Sequence, residues 1–61
     1  MTDLYYENRI TDYTLRIANL DTIRQQETAR GNLIKAKACE KEIDRLEQAK
    51  AEYERRRTEG N

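Results

Sequence analysis

The sequence lacks several residue types, and each absence excludes a class of protein. It contains no histidine, tryptophan, phenylalanine or proline, and its only cysteine is Cys39. One cysteine cannot form a disulfide within the chain, and without imidazole it cannot complete a Cys/His zinc site. The absence of histidine also excludes acid–base catalysis by imidazole, so we expect no enzyme. With 61 residues, the chain has room for one small domain.

Long hydrophobic runs are also missing. No stretch approaches the ~18 apolar residues of a membrane span. Residues 1–8 include acidic side chains and no apolar segment typical of a signal peptide. We therefore expect a complete small cytoplasmic protein with a reduced thiol, which neither enters a membrane nor carries a cofactor or metal.

Charge, by contrast, is abundant. Charged residues make up 39% of the chain, and 12 basic side chains balance 12 acidic ones. A net charge of zero argues against a protein that coats nucleic acid non-specifically. A chain this polar is either disordered or a highly charged helix former, and the spacing of its apolar residues distinguishes the two.

Two seams of apolar spacing indicate helices. The first seam comprises Tyr6, Ile10, Tyr13, Ile17 and Leu20. The second seam comprises Ala36, Cys39, Ile43, Leu46, Lys50 and Tyr53. Steps of three and four residues are typical of a helix packed on another helix. The two seams are out of phase with each other, which predicts an interruption between them.

A turn at residues 30–32 explains the change of phase. Gly31 suits the left-handed position that follows a helix, and Asn32 suits the N-cap of the next helix. Thr2 or Asp3 can cap the first helix.

The sequence therefore predicts an all-α fold, an antiparallel hairpin of two long helices that turns near Gly31. The helices cover about residues 3–30 and 32–58, within a single domain that spans residues 1–61. The first helix is poorer in helix-forming residues and either runs without interruption or breaks near residues 19–21.

A hairpin of this size buries little apolar surface, and its balance of burial against chain entropy is near zero. Several apolar residues lie off the seams and would stay exposed in a monomer: Leu4, Leu15, Ala18, Leu33 and Ile34. Exposed apolar surface usually indicates a partner. We therefore expect either a homodimer that forms a four-helix bundle or a hairpin that docks on a larger protein.

Tyrosine and arginine residues gather where the hairpin is open. Both residue types are enriched at the energetic centres of interfaces. A solvated basic ridge is the alternative interpretation of the arginines. We interpret Tyr13 and Tyr53 as core residues. The candidate partner-binding residues are Leu4, Tyr5, Tyr6, Arg9, Leu15, Arg16, Arg55, Arg56 and Arg57.

These features favour a small helical regulator or inhibitor that occludes or bridges a macromolecular partner. In size and predicted topology the chain resembles the Rop family of plasmid copy-number regulators. That resemblance covers topology and no functional residue. It implies, as an alternative to a protein-binding regulator, a helical dimer that binds RNA. The chain is also similar in size and composition to small phage or mobile-element proteins that block a host enzyme. A structural subunit that assembles bundles is the third alternative, and none of the three needs a small-molecule substrate.

Overall fold

The computed structural model describes residues 4–59 as two α-helices, α1 (Leu4–Ala29) and α2 (Leu33–Glu59). The helices pack against each other as an antiparallel hairpin about 48 Å long. The predicted all-α hairpin is confirmed, and α1 runs without interruption through residues 19–21. The predicted cap by Thr2 or Asp3 lies outside the described residues.

The turn follows the predicted chemistry of a helix end. The Asn32 amide donates a hydrogen bond of 2.8 Å to the Glu27 carbonyl, and the Gly31 amide donates one of 3.0 Å to the Thr28 carbonyl. This pair of bonds defines a Schellman motif, in which the residue after the helix is left-handed. Gly31 has a φ of 80°, a value that glycine adopts without steric cost. The Asn32 carbonyl then accepts the first bond of α2, from Ala36, so Asn32 is the N-cap.

The core of the hairpin is one thin stripe along the two seams. Every residue of both predicted seams is buried or half-buried. Ala36 and Leu46, both on α2, are the buried residues in the described part of the chain, with exposed fractions of 4% and 7%. α1 contributes no buried residue, so half-buried contacts hold most of the hairpin together.

The ion pairs support the helices individually. The five pairs between described residues all join side chains three or four positions apart in the sequence. Such pairs contribute only about 0.2–0.5 kcal/mol each. Since none of these five links α1 to α2, the association of the helices depends on the seams and on the aromatic contacts described below.

Candidate functional site

All four tyrosines of the chain meet near the open end of the hairpin, and the chain has no other aromatic residue. The Tyr5 and Tyr6 ring centroids lie 5.4 Å apart. Tyr53 of α2 lies 6.3 Å from Tyr5, 6.1 Å from Tyr6 and 5.7 Å from Tyr13. Tyr6 and Tyr13 occupy the seam of α1 seven residues apart, so both rings reach the facing seam residue. The cluster therefore joins the beginning of α1 to the end of α2.

Arg9 lies within this cluster. Its guanidinium carbon is 5.7 Å from the centre of the Tyr13 ring and 5.5 Å from that of Tyr53. Both distances fall in the range of cation–π attraction. The Arg9 Nε atom is buried and has no hydrogen-bond partner. The rings thus hold the guanidinium in place while one of its donors remains unused. We call Tyr5, Tyr6, Arg9, Tyr13 and Tyr53 the tyrosine–arginine cluster.

The phenols of the cluster influence one another's protonation. Hydrogen bonding to Tyr53 raises the pKa of Tyr5 above its ordinary value. The same bond, together with the Arg9 guanidinium and the charge of Arg56, lowers the pKa of Tyr53. Arg9 and Arg56 thus favour the ionised form of the Tyr53 phenol.

One side of the hairpin, which we call the basic face, surrounds the tyrosine–arginine cluster with cations. The charge of Arg45 interacts with Tyr13, and that of Arg56 interacts with Tyr53. Helical spacing places the exposed residues Arg16 and Lys35 on the same side. The cations of this face are Arg9, Arg16, Lys35, Arg45 and Arg56.

Acidic residues on the basic face are few. Asp12 lies at its edge, and Glu42 is paired with Arg45 at 2.5 Å. Arg55 and Arg56 share the Glu52 carboxylate. Hydrogen bonding to Arg55 is the main cause of the lowered pKa of Glu52. The face therefore keeps an excess of positive charge.

The opposite side of the hairpin, which we call the acidic face, carries negative charge. Glu40, Glu47 and Glu54 recur every seven residues on the edge of α2 that points away from Arg45 and Arg56. The corresponding edge of α1 holds two further acids, Glu7 and Asp21. Three bases approach this side from seam positions: Arg24 reaches Asp21 at 2.9 Å, and Lys50 and Arg57 each lie three residues after an acid of α2, so acids remain in excess. The chain is neutral in total and yet has two faces of opposite sign.

The structure divides the predicted partner-binding residues into two groups. Tyr5, Tyr6 and Arg9 join the cluster, and Arg56 lies beside it. The neighbouring arginines differ: Arg55 is exposed and bound to Glu52, whereas Arg57 is half-buried.

The remaining predicted residues lie elsewhere. Leu4 and Leu15 are exposed on the side of α1 that points away from α2. Arg16 is exposed on the basic face, less than one turn from Tyr13.

Folding the sequence back at the turn groups Tyr53 with Tyr5 and Tyr6, but it does not predict that Tyr13 and Tyr53 hold Arg9 or that Arg45 lies near the site. The spacing of Arg9 and Tyr13, four residues apart on one helix face, is the signal that could have found the cation–π contact. The contribution of Arg45 depends on the pairing of the two helices, which spacing within one helix does not show.

Residues 4–59 contain no cavity that could hold a small molecule. Nor do they bring together a group of acidic or cysteine side chains suited to a metal ion. Neither α1 nor α2 has an apolar stretch of the length needed to cross a bilayer.

The chain was compared with protein-family models, with curated proteins and with solved structures. None of the three comparisons finds a match.

Proposed function

We propose that this chain is a small protein-binding regulator whose basic face docks on an acidic segment of a partner protein. The observation that carries the proposal is the tyrosine–arginine cluster, in which two rings hold the Arg9 guanidinium and the other two tyrosines pack against one of those rings. Because tyrosine and arginine dominate the energetic centres of protein interfaces, this cluster is the part of the surface best suited to recognition.

The cluster offers both apolar area and polar groups. Tyr5 is 62% exposed, so its ring is available to a partner. The guanidinium of Arg9 is already held between rings, and ordering it on binding therefore costs little side-chain entropy. Arg16 and Lys35 have no ion-pair partner among the described residues, which leaves their charges available to carboxylates.

The shape of the hairpin favours a long, shallow contact. A face about 48 Å long without a cavity fits a helical or extended segment of another protein. By covering such a segment the chain would occlude it, and a partner of opposite charge on the acidic face would let it bridge two proteins. The free Cys39 thiol and the absence of a second cysteine are compatible with action in the cytoplasm.

A binding titration with defined peptides tests the proposal. The probe is a fluorescein-labelled helical peptide of about 15 residues, rich in glutamate and with leucines four residues apart. We expect wild-type protein to raise its anisotropy, and Tyr6→Ala or Arg56→Glu to weaken binding at least tenfold, as loss of an interface hot spot does. Lys41→Glu is the matched control for Arg56→Glu, because it changes the net charge equally at an exposed site away from the cluster.

Equal losses in Arg56→Glu and Lys41→Glu would show that only net charge matters and would contradict a docking site at the cluster. Binding by Tyr6→Ala with wild-type affinity would do the same. Circular dichroism of each variant confirms that helicity is retained, so that a loss of binding is not a loss of fold.

RNA binding is the second candidate, favoured by the exposed Tyr5 ring, which contacts the Tyr53 ring that Arg9 and Arg56 approach. Aromatic rings stack on unpaired bases, and arginines contact phosphates. A poly(U) oligonucleotide serves as the probe. If RNA is the natural ligand, its affinity falls steeply between about 50 and 200 mM salt and weakens further in Arg16→Gln, while the acidic peptide does not bind.

A further inference from the structure

The side of α1 that points away from α2 carries no charge over the whole length of the helix. Its residues alternate in steps of three and four, and all of them are exposed. They form the outer stripe: Leu4, Asn8, Thr11, Leu15, Ala18, Thr22, Gln25 and Ala29. In a chain with 39% charged residues, an uncharged stripe with the spacing of a helix–helix seam indicates a second helix partner for α1.

Two polar side chains of the outer stripe already make hydrogen bonds within the helix. The Thr22 hydroxyl donates a bond of 3.1 Å to the Ala18 carbonyl. The Gln25 amide donates one of 2.9 Å to the Asp21 carboxylate. Covering these groups would therefore leave fewer donors unsatisfied than covering polar groups that depend on water.

We infer that the outer stripe is the interface between two copies of this chain, with the two α1 helices antiparallel. Each of the other sides would meet its own copy unfavourably. Two basic faces would repel each other, and so would two acidic faces. The outer side of α2 presents Lys37, Lys41, Asp44 and Arg55, whose charges would lose water on contact. The outer stripe is the side that can pack on itself without burying charge.

The antiparallel register follows from the sizes of the stripe residues. Crossing the two helices at their centres places Leu15 opposite the partner subunit's Ala18, so that a large side chain meets a small one. The next layers pair Thr11 with the partner subunit's Thr22. Alternation of large and small residues lets the helix backbones approach closely.

The flanking charges also favour the antiparallel arrangement. In that register Glu7 lies opposite the partner subunit's Thr28, and Asp21 lies opposite the partner subunit's Thr14. A parallel pair would instead place Glu7 beside the partner subunit's Asp12, with like charges on both edges. The acids that border the stripe therefore select against the parallel pair.

The size of the contact sets the expected affinity. α1 has 26 residues and is about 39 Å long, so one helix–helix contact along it is smaller than a standard stable interface. We expect dissociation in the micromolar range. The described hairpin buries little apolar surface of its own, since Ala36 and Leu46 are its buried residues. Dimer formation should therefore also raise the stability of the hairpin.

The arrangement differs from the four-helix bundle expected from the sequence. It places the four helices side by side, with the two α1 helices in the middle and α2 at each edge. Its two-fold axis runs perpendicular to this layer, so both basic faces lie on one side and both acidic faces on the other. The inference holds whichever partner the basic face binds.

The experiment is light scattering coupled to size exclusion, from about 1 µM to 1 mM protein. Wild-type chain should pass from 7.3 kDa to twice that mass. Ala18→Glu should raise the dimer dissociation constant at least tenfold, since it places a charge at the centre of the stripe. Ala38→Glu is the matched control, because it introduces the same side chain at an exposed alanine of α2 and should dimerise normally.

A charge-pair rescue separates loss of the interface from loss of the fold. In the antiparallel register, Leu15→Lys combined with Ala18→Glu places each lysine opposite a glutamate of the partner subunit, and the double variant should regain dimerisation. A chain that Ala18→Glu merely unfolds would not be rescued in this way.

Disulfide trapping tests the register directly. With Cys39 replaced by alanine, a mixture of the Thr11→Cys and Thr22→Cys chains should give the mixed 11–22 product on oxidation. Preferential 22–22 cross-linking would overturn the antiparallel arrangement. A wild-type chain that stays at 7.3 kDa up to 1 mM would overturn the inference, and so would undiminished dimerisation of Ala18→Glu.

Discussion

α1 and α2 have nearly the same length, yet different interactions stabilise them. Seven of the 26 residues of α1 are charged, against 15 of the 27 residues of α2. Three ion pairs lie within α2, and its composition is rich in Ala, Glu, Lys, Leu and Arg. α1 has one ion pair between its own residues, and three of its threonine hydroxyls bond back to helix carbonyls. Such bonds slightly destabilise a helix, so α1 depends more on packing.

The two helices therefore contribute differently to the molecule. α2 is a self-supporting helix that supplies the buried residues of the core and most of the surface charge. α1 packs on α2 along one seam and keeps an uncharged stripe on its other side. Because α1 has little helical stability by itself and carries no charge on its outer side, it is suited to packing on two sides.

The largest expected effect tests the claim that α2 supplies the core. Leu46→Ala removes the one large buried side chain in the described part of the chain, and it should cost about 2–5 kcal/mol of unfolding free energy. Ile17→Ala, at a half-buried seam position of α1, should cost clearly less. Urea unfolding followed by circular dichroism at 222 nm measures both values. A cost for Ile17→Ala equal to that for Leu46→Ala would contradict the asymmetry.

The second prediction concerns the junction between the helices. Gly31→Ala should cost about 1–2 kcal/mol, since an L-residue is strained at a φ of 80°. No atom beyond Gly31 and its two chain neighbours lies within 4 Å of the position that the new Cβ would occupy, so the cost should come from the backbone alone. Gly31→Asn should cost less, because asparagine tolerates the left-handed region. The same urea titration compares the two variants, and equal costs would rule out backbone strain as the cause.

The third prediction compares one phenol from each helix. Because the pKa of Tyr53 is lowered and that of Tyr5 is raised, alkaline titration should show Tyr53 ionising below pH 10.0 and Tyr5 above it. Absorbance at 295 nm follows the ionisation. Tyr53→Phe should remove the early phase, and Arg9→Gln should move it to higher pH. An early phase that persists in Tyr53→Phe would contradict the assignment.

The smallest expected effect concerns the ion pairs of α2. Hydrogen bonding to Arg55 lowers the pKa of Glu52 below its ordinary value of 4.5. A lowered pKa stabilises the fold above pH 4.5, and this contribution is lost as the pH falls through the lowered value. The thermal midpoint should therefore fall slightly less between pH 7 and pH 3 in Glu52→Gln than in wild type. An equal fall in Glu52→Gln and wild type would contradict a stabilising role for this ion pair.

Most of the fold could be predicted because its signals are local. The 3–4 spacing fixed both seams, and Gly31 and Asn32 identified the turn by their backbone preferences. The grouping of Tyr5 and Tyr6 with Tyr53 followed from folding the chain back at that turn.

Other parts of the site depend on how one helix meets the other. The burial of the Arg9 Nε atom between two rings is set by rotamers on both helices, and spacing along one helix does not determine it. Leu15 lies two residues after Tyr13, and residues two apart on a helix point in very different directions, so its position away from the cluster was predictable. Because Leu15 was grouped with the arginines by surface exposure alone, it was not assigned to the outer stripe.

The tyrosine–arginine cluster is also an intrinsic spectroscopic probe of the open end of the hairpin. The chain contains no tryptophan, and all of its tyrosines lie in one place, so its ultraviolet emission arises from that site alone. Their emission and near-ultraviolet dichroism should change when the open end of the hairpin separates, while the backbone signal at 222 nm follows both helices. Optical spectra of the unlabelled, wild-type chain can thus separate fraying of the open end from global unfolding.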